Sequence, residues 1–216
     1  MKKIVGIITR PDIDFGNKYI HKVNEKFRTI LFAMDLIPLP LMPSSTNNYY
    51  EKEKSNLNIP LWHDILGLCD GFLLQGGSNP HDYEIETIKY AYSKDIPLLG
   101  ICMGMQSMSM FLGAELVMAN SMFHQSGEHR IKIKKNSKLH TILNQETIIV
   151  NRRHKEKIIN LKEKYISAKC NGVIEAIEDK SKRFYLGVQW HPEDIEDNNS
   201  SKLFEKFKKE IYKEVK

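Results

Sequence analysis

Cysteine is scarce in this chain of 216 residues, and the three present, Cys69, Cys102 and Cys170, do not pair off. An odd count at wide spacing excludes a disulfide framework, and the absence of paired Cys-x-x-Cys units excludes a zinc knuckle. Long hydrophobic runs are missing too. The start, Met1-Lys2-Lys3, is basic, but the apolar stretch behind it is interrupted by Gly6 and stops at Thr9-Arg10. That is too short for a signal-peptide core or a membrane span. A reducing cytoplasm is the expected location, with no membrane partner. A block of one charge sign is also lacking. Lysine and glutamate interleave, as in Glu51-Lys52-Glu53-Lys54, and the net charge is only +5. This is the pattern of a solvated surface, and no nucleic-acid partner is expected. No His, Cys or Asp spacing forms a ligand set, so no metal is expected, and His124, His129 and His140 are set aside. Gly76-Gly77 has no third glycine opening the next helix, which excludes a dinucleotide fingerprint, and no cofactor is expected. Repeats, low-complexity tracts and linkers are absent. Residues 1–216 read as one domain.

What is present alternates between short apolar runs and helical periodicities. Residues 3–8, 70–74 and 97–101 are β-branched or leucine-rich runs of strand length. Between them, Val23, Phe27, Ile30, Leu31 and Met34 recur at helical spacing over 20–35, and Ile85, Ile88 and Ala91 do so over 84–94. Pro11 and Gly16 predict a loop, 44–58 reads as polar loop, and the prolines of 37–41 confine that extended segment to a sheet edge. Alternation of this kind predicts an α/β fold, a mostly parallel, doubly wound sheet with helices on both faces. The second half differs. Segments 129–134, 147–150, 164–169, 173–178 and 184–189 are strand candidates with a turn at Asn171-Gly172, and they predict antiparallel additions to the sheet. A lysine-rich amphipathic helix over 201–214 is expected to pack on the core.

The strongest local signal is Leu99-Gly100-Ile101-Cys102-Met103-Gly104-Met105-Gln106. A buried strand runs into Cys102 and a helix follows, with glycines two residues to either side. A tight strand-to-helix turn needs such small neighbours, and the helix N-terminus favours a thiolate there. Cys102 requires a base. His191 stands in Gly187-Val188-Gln189-Trp190-His191-Pro192-Glu193, at the end of a strand, with a carboxylate two residues on that can orient its imidazole. Cys69 and Cys170 read as inert buried thiols, and the methionines of 103–110 as core filling.

Together, Gly-Ile-Cys-Met-Gly-Met-Gln and Gly-Val-Gln-Trp-His-Pro-Glu resemble the class I glutamine amidotransferase superfamily, whose fold is flavodoxin-like. The segments Gly6-Ile-Ile-Thr-Arg10, Leu74-Gln75-Gly76-Gly77, Val150-Asn151 with His154, and Asn171-Gly172-Val173-Ile174-Glu175-Ala176 are similar to its γ-glutamyl hydrolase branch, which includes γ-glutamyl-γ-aminobutyrate hydrolase. The resemblance implies a catalytic triad of Cys102, His191 and Glu193. It implies a γ-glutamyl thioester on the cysteine and an oxyanion hole from the backbone N–H groups of Gly77 and Met103. Gly76, Gln106, Asn151, Arg152, Arg153 and His154 are then expected around the substrate.

On this resemblance the expected activity is hydrolysis of a γ-glutamyl amide, releasing glutamate and an amine. The alternative is a glutaminase subunit that supplies ammonia to a separate synthase partner. The absence of a second domain and the 150–154 segment favour the hydrolase; the short loop after Gly77 leans to the glutaminase. Arg152 and Arg153 read either as a solvated loop or as a pair that binds a leaving group with an acidic distal part by bidentate hydrogen bonds. A homodimer is a further expectation carried by the family alone.

Overall fold

The computed structural model describes residues 1–44, 56–119 and 127–213. A nine-stranded sheet forms its centre. In chain order its strands are β1 (Ile4–Ile8), β4 (Ile37–Leu41), β5 (Gly71–Leu74), β6 (Leu98–Ile101), β8 (Glu128–Ile133), β9 (Thr147–Asn151), β11 (Ile166–Cys170), β12 (Val173–Glu178) and β13 (Tyr185–Val188). In space the order is β4-β1-β5-β6-β13-β12-β11-β8-β9. The pairings from β4 through β13 are parallel. Those from β13 outward to β9 are antiparallel. Two small ribbons complete the strands: β2 (Arg10–Ile13) with β3 (Tyr19–Lys22), and β7 (Glu115–Met118) with β10 (Glu156–Ile159).

The period-2 alternation of each parallel strand feeds two separate cores. On one face Val5, Ile7, Leu73, Leu99 and Leu186 meet α1 (Glu25–Ala33), α5 (Lys138–Leu143) and α6 (Asn198–Tyr212) through Phe27, Leu31, Leu139 and Phe207. On the other, Ile8, Phe72, Leu74, Leu98 and Tyr185 meet α2 (Ile59–Leu66), α3 (Asp82–Ser93) and α4 (Met103–Phe111) through Trp62, Ile88, Met105 and Met108. Both faces of the parallel half are therefore covered, as unbroken apolar strands require. Each fully buried side chain of this size contributes about 1.5–3 kcal/mol over its exposed state.

The proline-bearing segment 37–41 is an edge strand, and the turn at Asn171-Gly172 has both residues at positive φ, 46° and 83°, as a two-residue hairpin loop demands. Three local departures have physical causes. The helix expected from residue 20 begins at Glu25, because the Asn24 side chain accepts from the Lys26 N–H at 3.0 Å and caps it there. Where Pro11 and Gly16 predict a loop and the helix is expected to begin at 20, residues 10–22 form the β2–β3 hairpin. Most of its side chains face water, with Phe15 and Tyr19 112% and 88% exposed, so no buried face writes a pattern into the sequence. Helix α2 was hidden by Pro60, which sits in the first turn, where its missing N–H costs nothing. Of the expected loop 44–58, residues 45–55 lie outside the described residues, as does His124. Among the described residues no helix is long and apolar enough to cross a membrane.

Candidate active site

The site is built where β5, β6 and β13 end side by side. β6 runs into Cys102, which caps α4 with φ 53° and ψ −110°, a positive-φ conformation that side chains adopt only under strain. The turn is pinned by the Cys102 N–H, which donates to the Val188 carbonyl at 2.8 Å. It can be this tight because α4 presses against the sheet at Gly104. A Cβ there would lie 2.2 Å from the Leu74 carbonyl oxygen. The first N–H groups of α4 have no partner within the helix and are open at the end that Cys102 caps.

β13 delivers the imidazole. His191 follows the strand, and its backbone is gripped by one side chain. The His191 N–H donates to Asn151 Oδ1 at 2.8 Å, and Asn151 Nδ2 donates to the His191 carbonyl at 2.9 Å. On the imidazole, Nδ1 lies 2.7 Å from Glu193 Oε1, carried by the 3₁₀ turn Pro192–Asp194. Burial alone would pull the His191 pKa down. Hydrogen bonds and charge from Cys102 and Glu193 outweigh it and push it up to about 10. The structure thus brings thiol, imidazole and carboxylate together, with both neighbours favouring the charged imidazole.

The loop after β5 lies across this pair. A side chain at Gly76 would strike His191 Cε1 at 2.9 Å and approach the Cys102 Cβ at 3.5 Å, so position 76 has no room for one. Gly77 follows, exposed, with its backbone N–H on the same loop as Gly76.

The remaining expected residues are placed differently from one another. Gln106 is 1% exposed and donates from Nε2 to Gln189 Oε1 at 3.1 Å; Gln189 in turn donates to the Cys102 sulfur at 3.6 Å. Asn151 commits both ends of its amide to His191. His154 is buried, with Nδ1 2.9 Å from the Glu156 carbonyl and Nε2 3.6 Å from Glu175, a carboxylate that also meets His129 at 3.4 Å. Arg153 donates to Asp194 at 2.6 Å, and Lys26 pairs with the other oxygen at 2.9 Å. The Arg152 guanidinium lies beside Gly127. His191, Glu193 and Asp194 are the one grouping among the described residues with metal-ligand spacing, and all three are engaged in the contacts above. Cys69 is a core thiol whose pKa burial pushes up to about 12.

Sequence reasoning missed Gln189 and Asp194 as neighbours of the site. Both sit within or next to the quoted Gly187-to-Glu193 segment, and position alone was the available signal.

The chain belongs to the class I glutamine amidotransferase family, whose description "Glutamine amidotransferase class-I" matches residues 13–211. It is 25% identical over 206 residues to a GMP synthase [glutamine-hydrolyzing] of Francisella philomiragia, covering 93% of this chain and 36% of that protein. It is 27% identical to a CTP synthase of Helicobacter hepaticus, covering 89% of this chain and 44% of that one. The chain therefore spans under half the length of these curated relatives. Among solved structures, the glutaminase domain of Trypanosoma brucei CTPS with bound acivicin superposes with a TM-score of 0.69 at 19% identity, over 96% of this chain and 94% of that one. A protein of Thermoplasma acidophilum described as one subunit of a GMP synthase does so with a TM-score of 0.69 at 19% identity, over 98% and 95%.

Proposed function

We propose that the chain is a glutaminase that hydrolyses the γ-amide of glutamine and passes ammonia to a synthase partner. The observation that carries the chemistry is the continuous contact Cys102–His191–Glu193 at the mouth of a strand-to-helix turn. The Cys102 sulfur attacks the γ-carbonyl carbon, and the oxygen gains charge beside the N–H groups of Gly77 and Met103, where backbone donors are worth most. The His191 Nε2 proton passes to the amide nitrogen, the C–N bond breaks, and ammonia leaves a γ-glutamyl thioester. A water then gives a proton to His191 and attacks the thioester. Glutamate departs and the thiol is restored. Glu193 holds Nδ1, which fixes the imidazole's orientation through both steps.

Family membership supports the cysteine-dependent amide chemistry. The choice of glutamine and of a synthase partner follows the similar proteins named above: a glutamine-hydrolyzing GMP synthase, a CTP synthase, a CTPS glutaminase domain and a GMP synthase subunit. The γ-glutamyl hydrolase expected from the 150–154 and 171–176 segments is the competing reading. The placement of Asn151 and His154 weakens it, since both side chains are engaged inside the protein. The deciding experiment measures ammonia and glutamate release from L-glutamine and from γ-glutamyl amides of larger amines. Glutamine is expected to be the better substrate, and Cys102→Ala is expected to lose activity on the order of ten-thousand-fold. Faster cleavage of the larger amides by the chain alone would hand the assignment to the hydrolase; turnover surviving in Cys102→Ala would remove both.

A further inference from the structure

Behind the loop that carries Gly76 and Gly77 lies a charge pair that the chemistry above does not use. Arg10, at the start of β2, is 3% exposed, and Glu84, in the first turn of α3, is 0% exposed. Arg10 Nη1 donates to Glu84 Oε2 at 2.9 Å, and Nη2 lies 2.6 Å from Oε1. Desolvating two such charges costs several kcal/mol per ion, so a pair of this kind is weak evidence for stability by itself. Its other contacts show a different use. The same guanidinium donates from Nη1 to the Asn79 carbonyl at 2.7 Å and from Nη2 to the Gln75 carbonyl at 2.9 Å, one at each end of the loop. Between those ends the loop rests on the guanidinium itself. A Cβ on Gly77 would fall 2.7 Å from Nε and 2.8 Å from Cζ. Glu84 continues the grip, accepting from the His81 N–H at 2.9 Å, and the buried Ser107 of α4 is among the neighbours that hold its pKa down. Burial pushes the Glu84 pKa up to about 6 against the pull of Arg10, which leaves the carboxylate ionised at neutral pH.

We propose that Arg10 and Glu84 are positioning residues for acyl transfer. They fix the backbone of residues 75–81 relative to the nucleophile helix, so that the Gly77 N–H is aimed at the oxygen that gains charge. This rests on the role given to Gly77 in the proposed function. A planar, five-donor guanidinium suits the task because it serves two carbonyls and a carboxylate at once, which a lysine ammonium cannot do in the same plane.

The test compares two reactions of the same sulfur. Hydrolysis of L-glutamine passes through an oxyanion; alkylation of Cys102 by iodoacetamide does not. In Glu84→Gln and Arg10→Lys, kcat is expected to fall about a hundredfold, the loss typical of one misplaced oxyanion donor. KM and the alkylation rate are expected to stay near wild type. If Arg10→Lys fails to fold, Glu84→Gln, which keeps the side chain's shape, carries the comparison. A double variant, Arg10→Met with Glu84→Leu, is expected to regain thermal stability without regaining kcat. Alkylation falling in step with kcat, or a folded Glu84→Gln with normal kcat, or recovery of kcat in the double variant, would overturn the proposal. A wild-type chain inert on glutamine would instead fail the underlying reading, and the clamp would fall with it.

Discussion

His191 is a half-buried imidazole whose charge is set by its neighbours, and this has a consequence for pH. Its pKa in the folded chain is about 10 against an ordinary 6.5, because the lowering effect of burial is outweighed by Cys102 and Glu193 together. A folded-state value above the unfolded one adds stability that is complete below about pH 6.5 and is lost as pH rises through 10. Glu193→Gln removes one of the two groups that raise the value. The stability gap between wild type and this variant is therefore expected to narrow as pH climbs across that window, as measured by urea midpoints. A gap that stays constant would show that Glu193 does not hold the imidazolium. At this scale the grouping of Cys102, His191 and Glu193 was legible in the sequence, because each sits in a short segment whose neighbours declare a strand end and a tight turn. Arg10 and Glu84 were not, since their meeting joins positions 74 apart and nothing local marks either one. Asn151 was legible as part of the site but not in its contacts, because an asparagine's partners depend on where its strand is placed.

At the scale of elements, the site depends on how closely α4 approaches β5. Gly104 has no space for a methyl group, with the Leu74 carbonyl oxygen only 2.2 Å from where it would sit. Gly104→Ala is expected to push the helix off the sheet and to cost about 1–3 kcal/mol, the usual range for overpacking. Because Cys102 begins that helix, iodoacetamide alkylation is expected to change along with the urea midpoint. A variant with wild-type values of both would show that the contact can relax harmlessly. The elements that sequence periodicity found are those with a buried face: β5, β6, β12 and α6 fall within a few residues of expectation. The strands it missed, β2, β3, β7 and β10, belong to two-stranded ribbons outside the main sheet, where packing leaves little or no alternation, and the short helices α2 and α5 were missed with them.

At the scale of the whole molecule, the sheet joins a parallel half to an antiparallel half, and β13 is the seam, parallel to β6 on one side and antiparallel to β12 on the other. It is the last strand among the described residues yet occupies the middle of the sheet. A chain shortened to end before Tyr185 would have two part-sheets with open edges facing each other, and an exposed thiol with no imidazole. Such a truncated form is expected to lack a cooperative unfolding transition by circular dichroism and to release no ammonia; a cooperative, active fragment would contradict the topology. During synthesis on a ribosome the same geometry keeps the nascent polypeptide chemically silent. Cys102 emerges about ninety residues ahead of His191, which arrives behind the strand that also locks the two halves together. On the proposed chemistry, the thiol meets its imidazole only once the sheet has closed.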